Sequence, residues 1–346
     1  MVAGPTFPGQ ISRWSGMLDR ASSAAAASTN EHRWLVVAIT AVLAVGSAVR
    51  TPRLKNDPLV YLGALHRMRG GQGYYRALDA AMREGRIGPV ETVRAFRLPT
   101  AFLLWRWLPT DHLVWVGFLV LVVAATAAMA WTVREPLCAL LFAGYLIVVG
   151  TDGYSAPELW AAPLIAIGFA LAMRGRTLTA VAVLLVASSM RELAILALIG
   201  VVLDGWGRPA VRRAALGGCS LLAVGALLHA RGVRPYLVPQ GQGLEAHLLG
   251  SARLPQSLLR MSGAWLPAAM VLGPILVVLA VRWVRTHCRG RMVLPHLALL
   301  LTGLAVHRPE WGLLIVPFTL CWGVDELAAL VSAHRVPSPA LVALDV

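Results

Sequence analysis

Residues 113–133 read LVWVGFLVLVVAATAAMAWTV, an apolar run without a single charged side chain. A helix crossing a bilayer core needs roughly 20 such residues. Comparable runs fall at Trp34–Val49, Leu137–Gly150, Ala156–Met173, Leu178–Met190, Leu193–Leu203, Ala214–Ala230, Trp265–Val284, Met292–Val306 and Gly312–Val331. The pattern predicts an all-α fold, a polytopic membrane helix bundle of about ten spans. Several runs are short and must borrow flanking residues or thin the bilayer. A further piece, Leu98–Leu108, carries Arg106 and is bounded by Pro99 and Pro109. It is too short to cross comfortably and reads as a re-entrant or interfacial helix.

Composition agrees. The chain is 58% hydrophobic and 14% charged, with a mean hydropathy of +0.68, whereas soluble domains hold about 25% charged residues. One soluble core cannot hide that excess. The expected organisation is a single transmembrane domain over 31–335, with residues 1–30 as a disordered cytoplasmic tail and 336–346 as a second one. The formal net charge is +14, and Lys55 is the only lysine. Such charge suits anionic membrane lipids or a phosphate-bearing lipid substrate. Nucleic acid is excluded, because no soluble basic domain exists to hold it. The four cysteines form no C-x-x-C pair, so neither a disulfide frame nor a metal site is expected, and no cofactor.

Short basic connections set the orientation. Arg174-Gly-Arg176, Arg208 with Arg212 and Arg213, and the Arg282–Arg291 stretch alternate two crossings apart. The positive-inside rule places them in the cytoplasm of a plasma-membrane protein, with both termini cytoplasmic. Outer loops are then expected at 50–112 and 231–263, with short ones at Thr151–Ser155, Arg191-Glu192 and His307–Trp311. The long first loop is basic, against the usual rule, although long loops are partly exempt from it. Within it Leu59, Leu62, Leu65 and Met68 recur at helical spacing, and Gly70-Gly-Gln-Gly73 ends that helix. Amphipathic helices lying on the outer surface are expected there.

The polar residues gather on this outer side. They are Asp57, Asp152, Glu158, Arg191-Glu192, Arg308 and Glu310. Ionisable groups at membrane depth are expensive and usually line a functional cavity. Each also has a structural reading. Asp57 before Pro58 can start a turn or cap a helix. Asp152-Gly153 is a turn signal, and Glu158 suits a helix N-terminus. Arg308 and Glu310 flank Pro309 in a turn, where Arg308 can also bind a phosphate. Arg191-Glu192 interrupts an apolar run with no Gly or Pro beside it. Adjacent residues do not face each other on a helix, so each is expected to need another partner. On the cytoplasmic side Asp204 and Asp325 read as isolated acids.

Three stretches, Asp57-Pro-Leu-Val-Tyr61, Arg69-Gly-Gly-Gln-Gly-Tyr-Tyr75 and Arg97-Leu-Pro-Thr-Ala-Phe-Leu-Leu-Trp-Arg-Trp-Leu-Pro109, follow a first span in that order. The arrangement resembles the GT-C superfamily of integral-membrane glycosyltransferases, in particular the bacterial polyprenyl-phosphate-mannose-dependent transferases. The resemblance covers about Trp34 to Leu203 and rests on pattern and spacing rather than on a long identical motif. It implies a sugar donor linked to polyprenyl phosphate, an envelope glycan or glycolipid acceptor, and inverting transfer on the outer face. Asp57 sits where the family's general base lies. Arg191 and Arg308, with Arg53 or Arg97 in reserve, are expected around the leaving phosphate. Glu158, Glu192, Glu310, Asp152, Tyr61 and Tyr74 complete the expected substrate-binding set. Two other classes stay open: a transporter or flippase for an envelope lipid, and a non-catalytic membrane scaffold derived from such an enzyme.

Overall fold

The computed structural model describes residues 8–49, 52, 57–84, 98–236, 266–286, 290–296 and 309–335. These are helical throughout, with no strand among the described residues. The helices are α1 (Pro8–Ala48), α2 (Asp57–Arg69), α3 (Tyr74–Glu84), α4 (Thr100–Trp105), α5 (Asp111–Ala130) and α6 (Ala139–Gly153). They continue as α7 (Pro157–Met173), α8 (Thr177–Met190), α9 (Ile195–Asp204), α10 (Pro209–Val233), α11 (Leu266–Thr286) and α12 (Pro309–Arg335). Among the described residues, four stretches are long and apolar enough to cross a membrane: Ser28–Ala48, Asp111–Ala130, Pro136–Gly153 and Pro209–Tyr236. α7 and α8 are apolar but shorter. This is a helical membrane protein.

Helix ends follow local chemistry. Thr110 caps α5 by accepting from the Leu113 amide at 3.2 Å. Gly71 at φ +92° and Gly175 at φ +80° make the turns after α2 and α7, a left-handed conformation that glycine adopts freely. α4 has six residues, about 9 Å of helix, and cannot cross a bilayer. α1 starts at Pro8, so most of the segment expected to be a disordered tail is helical. Its alanine-rich stretch from Ala21 to Ala27 favours that outcome. The tail 336–346 and most of the outer loop 231–263 lie outside the described residues, as does most of the run Met292–Val306. The part of that loop before residue 237 continues α10 and ends in a tight turn at Arg234–Tyr236.

Neighbouring helices run antiparallel and sort side chains to two ends. At one end Arg208 reaches the Gly175 carbonyl at 3.4 Å and Thr177 Oγ1 at 3.1 Å, closing the base of the α8–α9 hairpin. Arg33 and Arg174 share that end, both lying over Trp131. At the other end α2 and α3 form a helical hairpin, where a Cβ added at Gly63 would meet Ala81 Cβ at 3.6 Å. Between the ends, α5 and α6 cross closely at Gly150, where an added Cβ would meet the Phe118 ring at 2.6 Å. α12 threads the middle: Phe318 contacts Phe142 of α6 and Phe169 of α7, and Trp322 stacks on Trp283 of α11 at 5.0 Å.

Candidate functional site

The break between α8 and α9 creates the most unusual buried group. Arg191 is extended (φ −142°, ψ 114°) and a tight turn over Glu192–Ala194 follows. This places Arg191 at the tip of the α8–α9 hairpin, beside the N-terminus of α7. There its Nε stands 3.4 Å from Oε1 of Glu158. Both side chains are buried, at 4% and 2% exposure. Arg191 Nη1 also donates to Glu192 Oε1 at 3.0 Å. The expectation that the adjacent residues cannot pair is thus corrected. It assumed helical geometry, whereas the extended backbone at Arg191 turns the two side chains together. Arg191 Nε is a buried donor with no hydrogen-bond partner. Glu192 is half exposed and forms the open side of the group.

The first-loop helices roof this end. Ser155, one turn before Glu158, donates from Oγ to the Pro58 carbonyl at 2.6 Å. Pro58 also packs against Gly153. Asp57, the first residue of α2, is therefore brought by its backbone to the same end as Glu158 and Arg191. A chain of rings continues the roof. Tyr61 and Tyr74 meet Phe102, Phe102 meets Trp105, and Trp105 meets Trp160, two residues past Glu158. Tyr61 and Tyr74, expected to touch substrate, are buried in this packing.

Asp152 is exposed on the last turn of α6 rather than in a loop turn, and it is not part of the buried pair. Glu310 is the second residue of α12. Arg308, Arg53 and Arg97 lie outside the described residues. Among the described residues no group of His, Cys, Asp and Glu is arranged to hold a metal ion.

Two polar groups escaped the sequence reading. At the roofed end Asp111 accepts from Arg69 Nη1 at 2.5 Å and from His66 Nε2 at 2.6 Å, tying α2 to the start of α5. The Tyr154 phenol feels this pair. Its pKa is pushed up to about 12, by burial first and by the Asp111 charge second, with Arg69 opposing. The clue was Thr110-Asp111 after Pro109, a helix-start signal.

At the opposite end Asp325 is not isolated. Its Oδ1 accepts the Glu135 amide at 2.7 Å and its Oδ2 the Trp283 indole at 2.7 Å. Glu326 beside it accepts from Arg282 at 2.8 Å and Arg134 at 2.9 Å. An adjacent acid pair inside the run Gly312–Val331 was the signal, since charges within apolar runs need partners.

No family model, curated protein or solved structure matches this chain.

Proposed function

We propose that this protein is a GT-C-like membrane glycosyltransferase of about ten spans, sited in the plasma membrane with both termini cytoplasmic. It moves a sugar from a polyprenyl-phosphate donor to a cell-envelope glycan or glycolipid on the outer face. The observation that carries the reading is the Arg191–Glu158 pair, buried beneath the α2–α4 roof, in which Arg191 Nε makes an ion-pair contact but no hydrogen bond.

α8 has 14 residues, about 21 Å of helix, less than the roughly 30 Å hydrocarbon thickness. With the Arg174–Arg176 turn at the cytoplasmic boundary, Arg191 is recessed below the outer one. A lipid phosphate reaches that depth from the side, while a hydroxylated acceptor enters from the wet face. Asp57 takes the proton of the acceptor hydroxyl as its oxygen bonds to the anomeric carbon. The bond from that carbon to the phosphate oxygen breaks with inversion, and polyprenyl phosphate leaves with the electron pair. Arg191 is preorganised for the charge growing on that oxygen, in a site that excludes bulk water. Glu158 orients Arg191, and Glu192 faces the acceptor.

The test is transfer of radiolabelled sugar from polyprenyl-phosphate donors in membranes holding wild type, Asp57→Asn or Arg191→Gln at matched expression. Wild type transfers sugar, and each variant loses about 100-fold or more. An Asp57→Asn variant at full rate removes Asp57 as base. A wild type inactive with every donor ends the glycosyltransferase reading in favour of a transporter or scaffold.

A further inference from the structure

A second cationic group lies at the end of the bundle opposite the proposed site. Arg33 of α1 and Arg174 after α7 both lie over the Trp131 ring, with guanidinium carbons 6.0 Å and 5.6 Å from its centroid. Trp34 meets the same ring edge-on at 5.3 Å and is 63% exposed. Arg33 Nε is buried without a hydrogen-bond partner, and its Nη1 donates to Asn30.

Among the described residues no carboxylate pairs with Arg33, Arg174 or Arg176. Three of the acids at this end are engaged elsewhere, and Asp204, at the end of α9, makes no ion pair with these arginines. Glu326 is taken by Arg134 and Arg282, Asp325 by Trp283 and the Glu135 amide, and Glu135 accepts from the Leu137 amide. Glu31 sits two residues from Arg33, a spacing that does not share a helix face. The crowding is felt: the Arg174 pKa is lowered by burial first, then by Arg33 and Arg176. Two guanidinium groups over one ring, with no carboxylate partner among the described residues, make a fork for an anion with several acceptor oxygens.

We infer that Arg33, Arg174 and Trp131 form a binding site for the phosphate of an anionic membrane lipid. The exposed Trp34 decides for a lipid over free phosphate. It stands beside the arginines at the start of an apolar span, where indole rings sit at the headgroup level. Acyl chains run down the exposed face of α1, where Val42 and Val45 are 71% and 67% exposed. The site differs from the general basic surface of this end in having a ring platform and a buried donor.

The experiment is native mass spectrometry of the full chain taken from nanodiscs of equal phosphatidylglycerol and phosphatidylcholine. Wild type retains phosphatidylglycerol preferentially. Arg33→Gln/Arg174→Gln lowers that retention about tenfold or more, since each arginine near a lipid surface is worth about 1 kcal/mol. The exposed Arg174→Gln alone, which leaves α1 intact, shows a smaller loss in the same direction. Arg212→Gln/Arg213→Gln, exposed at the same end, changes retention little. Unchanged retention in the Arg33/Arg174 variants overturns the site. Equal loss in the Arg212/Arg213 control overturns it too, reducing the effect to bulk charge. Displacement of the lipid by millimolar inorganic phosphate, with phosphate then bound in its place, overturns the lipid as ligand.

Discussion

Two buried ionic groups stand at opposite ends of the bundle, and they are built differently. In the group around Asp325 and Glu326, all four carboxylate oxygens accept a hydrogen bond, at 2.7–2.9 Å. The donors come from α11 and from the segment between α5 and α6. In the group around Arg191, Nε stands 3.4 Å from Glu158 Oε1, an ion-pair contact without a hydrogen bond. A fully satisfied buried network fixes one packing of its elements. A network with an idle buried donor carries a cost of desolvation that only another group can offset. The first is a lock between helices. The second keeps a buried donor outside its hydrogen bonds, as the proposed site requires.

The largest effect is expected at the lock. Arg134→Gln/Arg282→Gln leaves Glu326, at 3% exposure, as a buried carboxylate without a cation. Stability in detergent should fall by about 3–5 kcal/mol, read from the denaturant midpoint. A loss below about 1 kcal/mol would put this network with ordinary surface pairs. At the other end the order reverses. Glu158→Gln/Arg191→Gln removes both charges at once, a change often neutral for stability. The unfolding midpoint should scarcely move while transfer activity falls about 100-fold or more. A large loss of stability there would make both groups locks. Smaller than the first change at the lock is Trp283→Phe, which keeps the stack on Trp322 but removes the donor to Asp325 Oδ2. The buried acceptor left behind should cost about 1–3 kcal/mol, measured by the same unfolding titration.

Much of this architecture was legible in advance. The run Leu113–Val133 became Asp111–Ala130, and Leu178–Met190 became Thr177–Met190. The glycines at 70–73 end α2 as their conformational freedom requires. The face of α2 was harder. Leu59 was read as part of the apolar stripe, yet it is 56% exposed while Val60 and Tyr61 are buried. In a membrane protein lipid accepts apolar side chains as readily as the core does, so periodicity alone does not separate inside from lipid. The partners of Asp325 and Glu326 were illegible for a different reason. Glu135 and Arg134 lie some 190 residues away in sequence, and no local pattern announces a contact across that distance. The Arg191–Glu192 break was visible as an interruption, but its extended backbone was not.

The smallest effect distinguishes the two ends most finely, because it involves a polar group that is neither lock nor site. Asp111 binds Arg69 and His66, but its side chain is 27% exposed and that of His66 55%. Water can replace these bonds, so Asp111→Asn should cost less than about 1 kcal/mol of stability. Its reach shows instead in Tyr154. Burial is the main cause that lifts the Tyr154 pKa to about 12, and the Asp111 charge adds to it. Removing that charge eases ionisation of the phenol, so the pKa falls, while burial holds it above the ordinary tyrosine value of 10.0. Difference absorbance titration of Asp111→Asn against wild type, with Tyr154→Phe to assign the transition, reads both the sign and the residue. A rise would mean that Arg69, released from Asp111, has moved away from Tyr154. The α2 helix would then have shifted over the roofed end, and Asp111 would belong with the locks after all.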